Sequence, residues 1–146
     1  MVPNAPSRLS RVHRKLLGEA QRALPDLGRV GLEIRADAGD GGRHYAYCQQ
    51  SRDGSIKIAF SPNAFALSDA HLLGLMAHEL GHAIDFRYPP QRLAQQIGDS
   101  IPRERERRAD EIARRVFGHV IEYDPRIGYV QCVACDGVAP RPKGLR

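Results

Sequence analysis

Apolar residues recur at helical spacing over residues 7–24, at Leu9, Val12, Leu16, Leu17, Ala20 and Leu24, with Arg, Lys and Glu between them. That period puts one apolar stripe on a helix. Pro25 stops it, and Gly28 helps the chain turn. Residues 29–36 alternate apolar and polar, as a half-buried strand does. After a turn at Gly39 to Gly42, residues 44–50, with Tyr45, Tyr47 and Cys48, predict a second strand. Asp53-Gly54 signals a hairpin, and residues 55–60 alternate as a third strand. A long helix is expected over about 68–86, with Ser68 as N-cap and Leu67 and Leu72 placed for a hydrophobic staple. Tyr88-Pro89-Pro90 ends it. A short helix is expected over 91–97 and a charged helix over about 101–117, stopped by Gly118. Residues 119–146 hold many Gly and Pro and read as largely irregular, with a mobile basic tail over 140–146. The pattern predicts an α+β fold in one domain, residues 1–139. It has an N-terminal helix, a small and mainly antiparallel sheet, and two further principal helices packed together.

The long helix carries His78-Glu79-Leu80-Gly81-His82. At about 100° per residue, His78 and His82 project from one face a turn apart, where two imidazoles can take two corners of a zinc tetrahedron. Glu79 sits just off that face, where it can reach a metal-bound water without being a ligand. Gly81 permits a close approach of another backbone. The charged helix offers a third ligand. With Glu106 at zero on its wheel, Ala109, Ile112, Ala113, Val116 and Phe117 fall within roughly 120° of it and Asp110 about 40° away. Glu104 and Glu111 fall on the far side among the arginines, positioned for ordinary surface pairs with Arg108 and Arg115. Glu106 therefore points inward with the apolar stripe. A carboxylate there is costly unless it binds a metal or, alternatively, pairs with a buried Arg. Asp110 is placed to hold a ligand histidine by its other ring nitrogen.

At these residues the chain resembles the zincin metallopeptidases of the gluzincin type, on His78 to His82 plus Glu106-Arg107-Arg108-Ala109-Asp110, an ExxAD pattern. It is also similar to the small phage and bacterial minimal zincins. The resemblance implies zinc ligands at His78, His82 and Glu106, a general base at Glu79 and a supporting carboxylate at Asp110. It implies a peptide or protein substrate lying along the strand before the active-site helix, here Ile56, Lys57, Ile58 and Ala59. Candidates to assist zinc in stabilising the oxyanion are His119, Tyr88 and Tyr123. Metzincins match poorly, because Asp85 and Tyr88 stand where their Gly and third ligand belong. Asp85 reads instead as a local hydrogen-bonding or salt-bridging group.

Composition narrows the rest. The 146 residues carry 22 Lys and Arg against 17 Asp and Glu, a net charge of +5. That permits contact with nucleic acid without requiring it. The arginines of 103–108 and 114–115 form a basic face whose ordinary explanation is a solvated helix surface. An alternative reading follows from it: a DNA- or protein-binding regulator whose zinc site is structural or weakly active. No segment reaches the length of a membrane span, and the polar first ten residues contain no apolar leader. Cys48, Cys132 and Cys135 are an odd set, which suits a reducing, cytoplasmic compartment. Cys132 and Cys135 form a CxxC, half of a zinc knuckle. Cys48 and a histidine such as His44 or His119 could complete a second, structural zinc site. A zinc ribbon needs a second Cys pair that this chain lacks, so free thiols or a disulfide are the simpler expectation. His71 reads as an ordinary helix histidine.

Overall fold

The computed structural model describes residues 5–35, 45–99 and 101–118. In chain order the elements are α1 (Ala5–Ala23), a 3-10 turn (Pro25–Leu27), β1 (Gly31–Ile34), β2 (Ala46–Gln50), β3 (Ile56–Phe60), a 3-10 turn (Pro62–Ala66), α2 (Asp69–Arg87), α3 (Pro90–Ile97) and α4 (Arg105–Phe117). The class is α+β, with helices at both ends of the series and a three-stranded sheet between them.

The sheet order is β1-β3-β2. β2 and β3 form the hairpin expected at Asp53-Gly54, antiparallel from Ala46 opposite Phe60 to Gln50 opposite Ile56. The Asp53 carboxylate accepts from the Ser55 backbone N–H at 3.0 Å, and Gly54 takes the positive φ of 88° that closes the turn. β1 pairs with β3 in parallel, Gly31 opposite Lys57 through Ile34 opposite Phe60. The sheet is thus mixed, one parallel and one antiparallel pairing, where a mainly antiparallel one was expected. The reason lies in the strands. Ile56, Ile58, Ala59 and Phe60 are all buried, whereas β1 has no fully buried residue and β2 ends in two exposed glutamines. The most apolar strand takes the centre, and the short or polar ones take the edges.

This order overturns one functional expectation. A strand paired on both sides has no free backbone for a peptide to join, so Ile56, Lys57, Ile58 and Ala59 cannot receive a substrate by strand addition. Ile56 and Ile58 point into the core, and Lys57 is held by Glu33 at 2.6 Å.

The core lies between the inner face of the sheet and the helices. Leu9, Leu16 and Ala20 of α1, Cys48, Ile58 and Phe60 of the sheet, and Ile112 and Ala113 of α4 surround α2. α2 is buried almost without interruption from Gly74 to Ile84, so it is the central post of the fold. Ser68 caps it by accepting from the His71 N–H at 3.1 Å, and its oxygen also meets the His71 ring, which gives that histidine its ordinary role. Leu67 and Leu72 are both buried, as a staple requires. Arg87 finishes the helix by donating to three carbonyl oxygens, those of Leu27 at 2.5 Å, Gly54 at 3.2 Å and Arg29 at 3.4 Å. α4 starts later than expected because Glu104 is its N-cap. The Glu104 carboxylate accepts from the backbone N–H of Arg107 at 3.0 Å and Glu106 at 3.2 Å, so it does not pair with Arg108. Gly118 ends α4 in the left-handed conformation.

α2 and α4 touch backbone to backbone. A Cβ at Gly81 would collide with the Ala109 carbonyl oxygen and lie 3.0 Å from its carbon. Gly18 of α1, by contrast, would meet only the end of Arg22 at 3.7 Å. Gly81→Ala is therefore expected to destabilise by about 1–3 kcal/mol in urea unfolding. Gly18→Ala should be neutral or stabilise by up to about 1 kcal/mol.

Candidate metal centre

Two helices bring the donor atoms together. α2 contributes His78 and His82 from one face, and α4 contributes Glu106 from its buried face, beside Ala109, Ile112 and Ala113. Exposure of His78, His82 and Glu106 is 0–1%. One ligand atom from each lies within 4.8 Å of the others, and the trio can hold a metal ion. The placement of Glu106 follows from the wheel: the residues that share its face are the ones that pack.

The spacing tests the fit. His78 Nε2 lies 2.9 Å from Glu106 Oε1 and 3.1 Å from His82 Nε2, and His82 Nε2 lies 3.4 Å from Glu106 Oε2. Corners of a tetrahedron with metal–ligand bonds of about 2.0–2.2 Å stand about 3.3–3.6 Å apart. The 3.4 Å separation falls in that range and the 2.9 and 3.1 Å separations are shorter than it, so an ion seated among these atoms requires the donors to move outward by a few tenths of an ångström.

Proton accounting points the same way. His78 Nδ1 meets Asp110 Oδ1 at 2.7 Å, and a carboxylate there calls for a ring N–H on Nδ1. A neutral His78 then presents a lone pair on Nε2, facing a carboxylate oxygen and another imidazole nitrogen. Without a metal, such a set needs extra protons. Burial, the largest single influence, pushes the His78 imidazole down. Hydrogen bonds to Asp110 and Glu106, with the charges of Asp110 and Glu79, outweigh it and hold the ring well above its ordinary value. Burial likewise pushes Glu106 up, but its hydrogen bonds to His78 and His82 and their charges bring it down to about 2. A metal ion satisfies the same three lone pairs without those protons.

Glu79 is wholly buried, and its charge acts on His78. Asp110 stands at the second ring nitrogen of His78, where a supporting carboxylate was expected. Asp85 is indeed a salt-bridging group: Arg108 donates to its Oδ1 from Nη2 at 2.7 Å and from Nε at 3.0 Å. Sequence reasoning gave Arg108 to Glu104 and so missed this pair. Its signal was Asp85 on the ligand face of α2. Glu111 pairs with Arg115 at 2.6 Å and also with Arg114. Tyr88 is buried under the Arg92 guanidinium, 4.9 Å from its ring centre, at the far end of α2. His44, His119, Tyr123, Cys132, Cys135 and the 140–146 tail lie outside the described residues, while Cys48 is buried in the core.

Arg103, Arg105 and Arg107 are exposed, as a solvated basic helix surface requires. Arg108, Arg114 and Arg115 are engaged by Asp85 and Glu111. Exposed cations with no ion pair to another described residue include Arg11, Arg14, Lys15 and Arg22, on the outer face of α1. No described helix is long and apolar enough to cross a membrane. The chain matches no family model, no curated protein and no solved structure.

Two outcomes follow for metal binding. Glu106→Ala should lose most bound metal in a metal count on purified protein, while Glu104→Ala and Glu111→Ala keep it. Affinity should also rise with pH. Protons compete for the imidazoles, and because the His78 value is raised, the competition extends well above the ordinary histidine range. Titration with a metal-sensitive dye should show release on acidification, and affinity that does not change with pH would contradict this proton accounting.

Proposed function

We propose that the protein is a zinc-dependent metallopeptidase. The observation that carries this reading is the convergence of His78, His82 and Glu106 on one point with Glu79 on the same helix turn. Two imidazoles and a carboxylate are a donor set suited to zinc, and three protein ligands leave a fourth position for water or substrate. The bound ion would supply Lewis-acid polarisation of a carbonyl and acidify a water. Glu79 would take the proton from that water and deliver it to the leaving amine nitrogen. Asp110 would keep the His78 ring oriented through Nδ1. With β3 enclosed, β1 and β2 are the edges among the described residues, and β2 is the one packed against α2, so an extended peptide would join there.

A second reading has its own support. All four central side chains are enclosed, and closed metal sites are commonly structural. The exposed cations of α1 then suit a module that binds a nucleic acid or an acidic protein.

Glu79→Gln separates the two. It should retain the metal and lower peptide cleavage by about 10²- to 10⁴-fold, measured as initial rates on a quenched fluorescent peptide mixture. Full biological activity in that variant would defeat the peptidase reading.

A further inference from the structure

The metal centre depends on how two helices meet, and Glu106 is the only one of its ligands on α4. Its two oxygens stand at 2.9 and 3.4 Å from the histidine nitrogens. Metal sites tolerate errors of about 0.2 Å in bond length, so a slide or roll of α4 by a fraction of a turn would withdraw the carboxylate. The contact at Gly81 fixes how close the helices come, but a small flat contact does not by itself prevent rotation about it. Something further must set the rotation.

We propose that Asp85 and Arg108 do this: they are positioning residues for the metal centre, although neither is among its donor atoms. Asp85 follows His82 by three residues, on the same face of α2. Arg108 follows Glu106 by two. The Arg108 guanidinium gives two N–H groups to one Asp85 oxygen and a third, from Nη1, to the Pro102 carbonyl oxygen at 3.2 Å. All three of its nitrogens are therefore used, one side on α2 and the other on the segment that leads into α4. The pair is largely shielded from water, with side-chain exposures of 14% for Arg108 and 18% for Asp85. Screening is weak there, and a planar guanidinium fixes direction as well as distance. Together with Gly81, the clamp gives the interface a second fixed point beyond the ligand cluster. Two contacts separated along the helices fix the angle at which they cross, which a single contact does not.

This inference rests on the metal reading of His78, His82 and Glu106, and its test separates the two. Cobalt(II) is the probe, because its visible absorption reports tetrahedral geometry and its affinity can be titrated. Asp85→Asn and Arg108→Met should each weaken cobalt binding about 10- to 100-fold, as loss of a ligand-orienting partner does, and broaden the absorption bands. The exchanged pair Asp85→Arg with Arg108→Asp should recover at least part of the loss. Lys57→Met, which breaks the unrelated Lys57–Glu33 pair, should leave affinity unchanged. Thermal unfolding of the metal-free variants supplies the comparison with a merely structural role. If Asp85→Asn and Arg108→Met lower the melting temperature but bind cobalt within about twofold of the parent, the clamp is overturned and the metal reading stands. If the parent chain itself binds no cobalt or zinc, both are overturned.

Discussion

Where Gly81 lies against the Ala109 backbone, two helices approach more closely than side chains would allow, and the candidate metal centre depends on that approach. Histidine and glutamate side chains are short. For Glu106 to reach the two imidazoles, the axes of α2 and α4 must come near each other, and even a methyl group at position 81 would hold them apart. The glycine stands inside the histidine motif itself. The same five residues therefore provide two donors, a base candidate and the gap through which the third donor arrives. Gly81 costs α2 some helix propensity. The long buried run from Gly74 to Ile84 compensates, because burial rather than propensity holds this helix.

Much of this was legible in the sequence, because helices and single faces are local properties. The period of Leu9, Leu16 and Ala20 marks the buried side of α1, and Ser68 and Pro89 bracket α2. The wheel of α4 separates Glu106 from Glu104 and Glu111 without any tertiary information. The errors occur where a residue had a choice of partners. Arg108 can reach Glu104 in its own helix or Asp85 in another, and sequence spacing records only the first. The N-cap decides the matter by engaging Glu104. Strand order is a choice of the same kind. The hairpin at Asp53 and Gly54 is readable, but which edge β1 joins depends on how the whole sheet buries β3. The substrate strand failed for that reason and no other.

Electrostatically, the centre is unusual for a protein interior. Four enclosed groups, His78, Glu79, His82 and Glu106, sit within a few residues of each other in space, with Asp110 at their margin. Carboxylates bring negative charge that the apolar surroundings cannot solvate. Protons or a divalent cation must balance it. The site is thus poised between two counter-charges that exclude each other, and this exclusivity links metal content to acidity.

The end of α2 has a different consequence. Arg87 holds carbonyl oxygens from the turn after α1 and from the tip of the β2–β3 hairpin, segments far apart along the chain. None of the three candidate ligands lies there. Yet these hydrogen bonds join the hairpin, the first turn and the ligand helix into one mechanical unit, so none can open locally without loosening the others. Helix ends ordinarily fray on fast timescales. Here the last turn of the ligand helix is tethered at two loops, and slow exchange of its amide hydrogens is the natural companion of that tether.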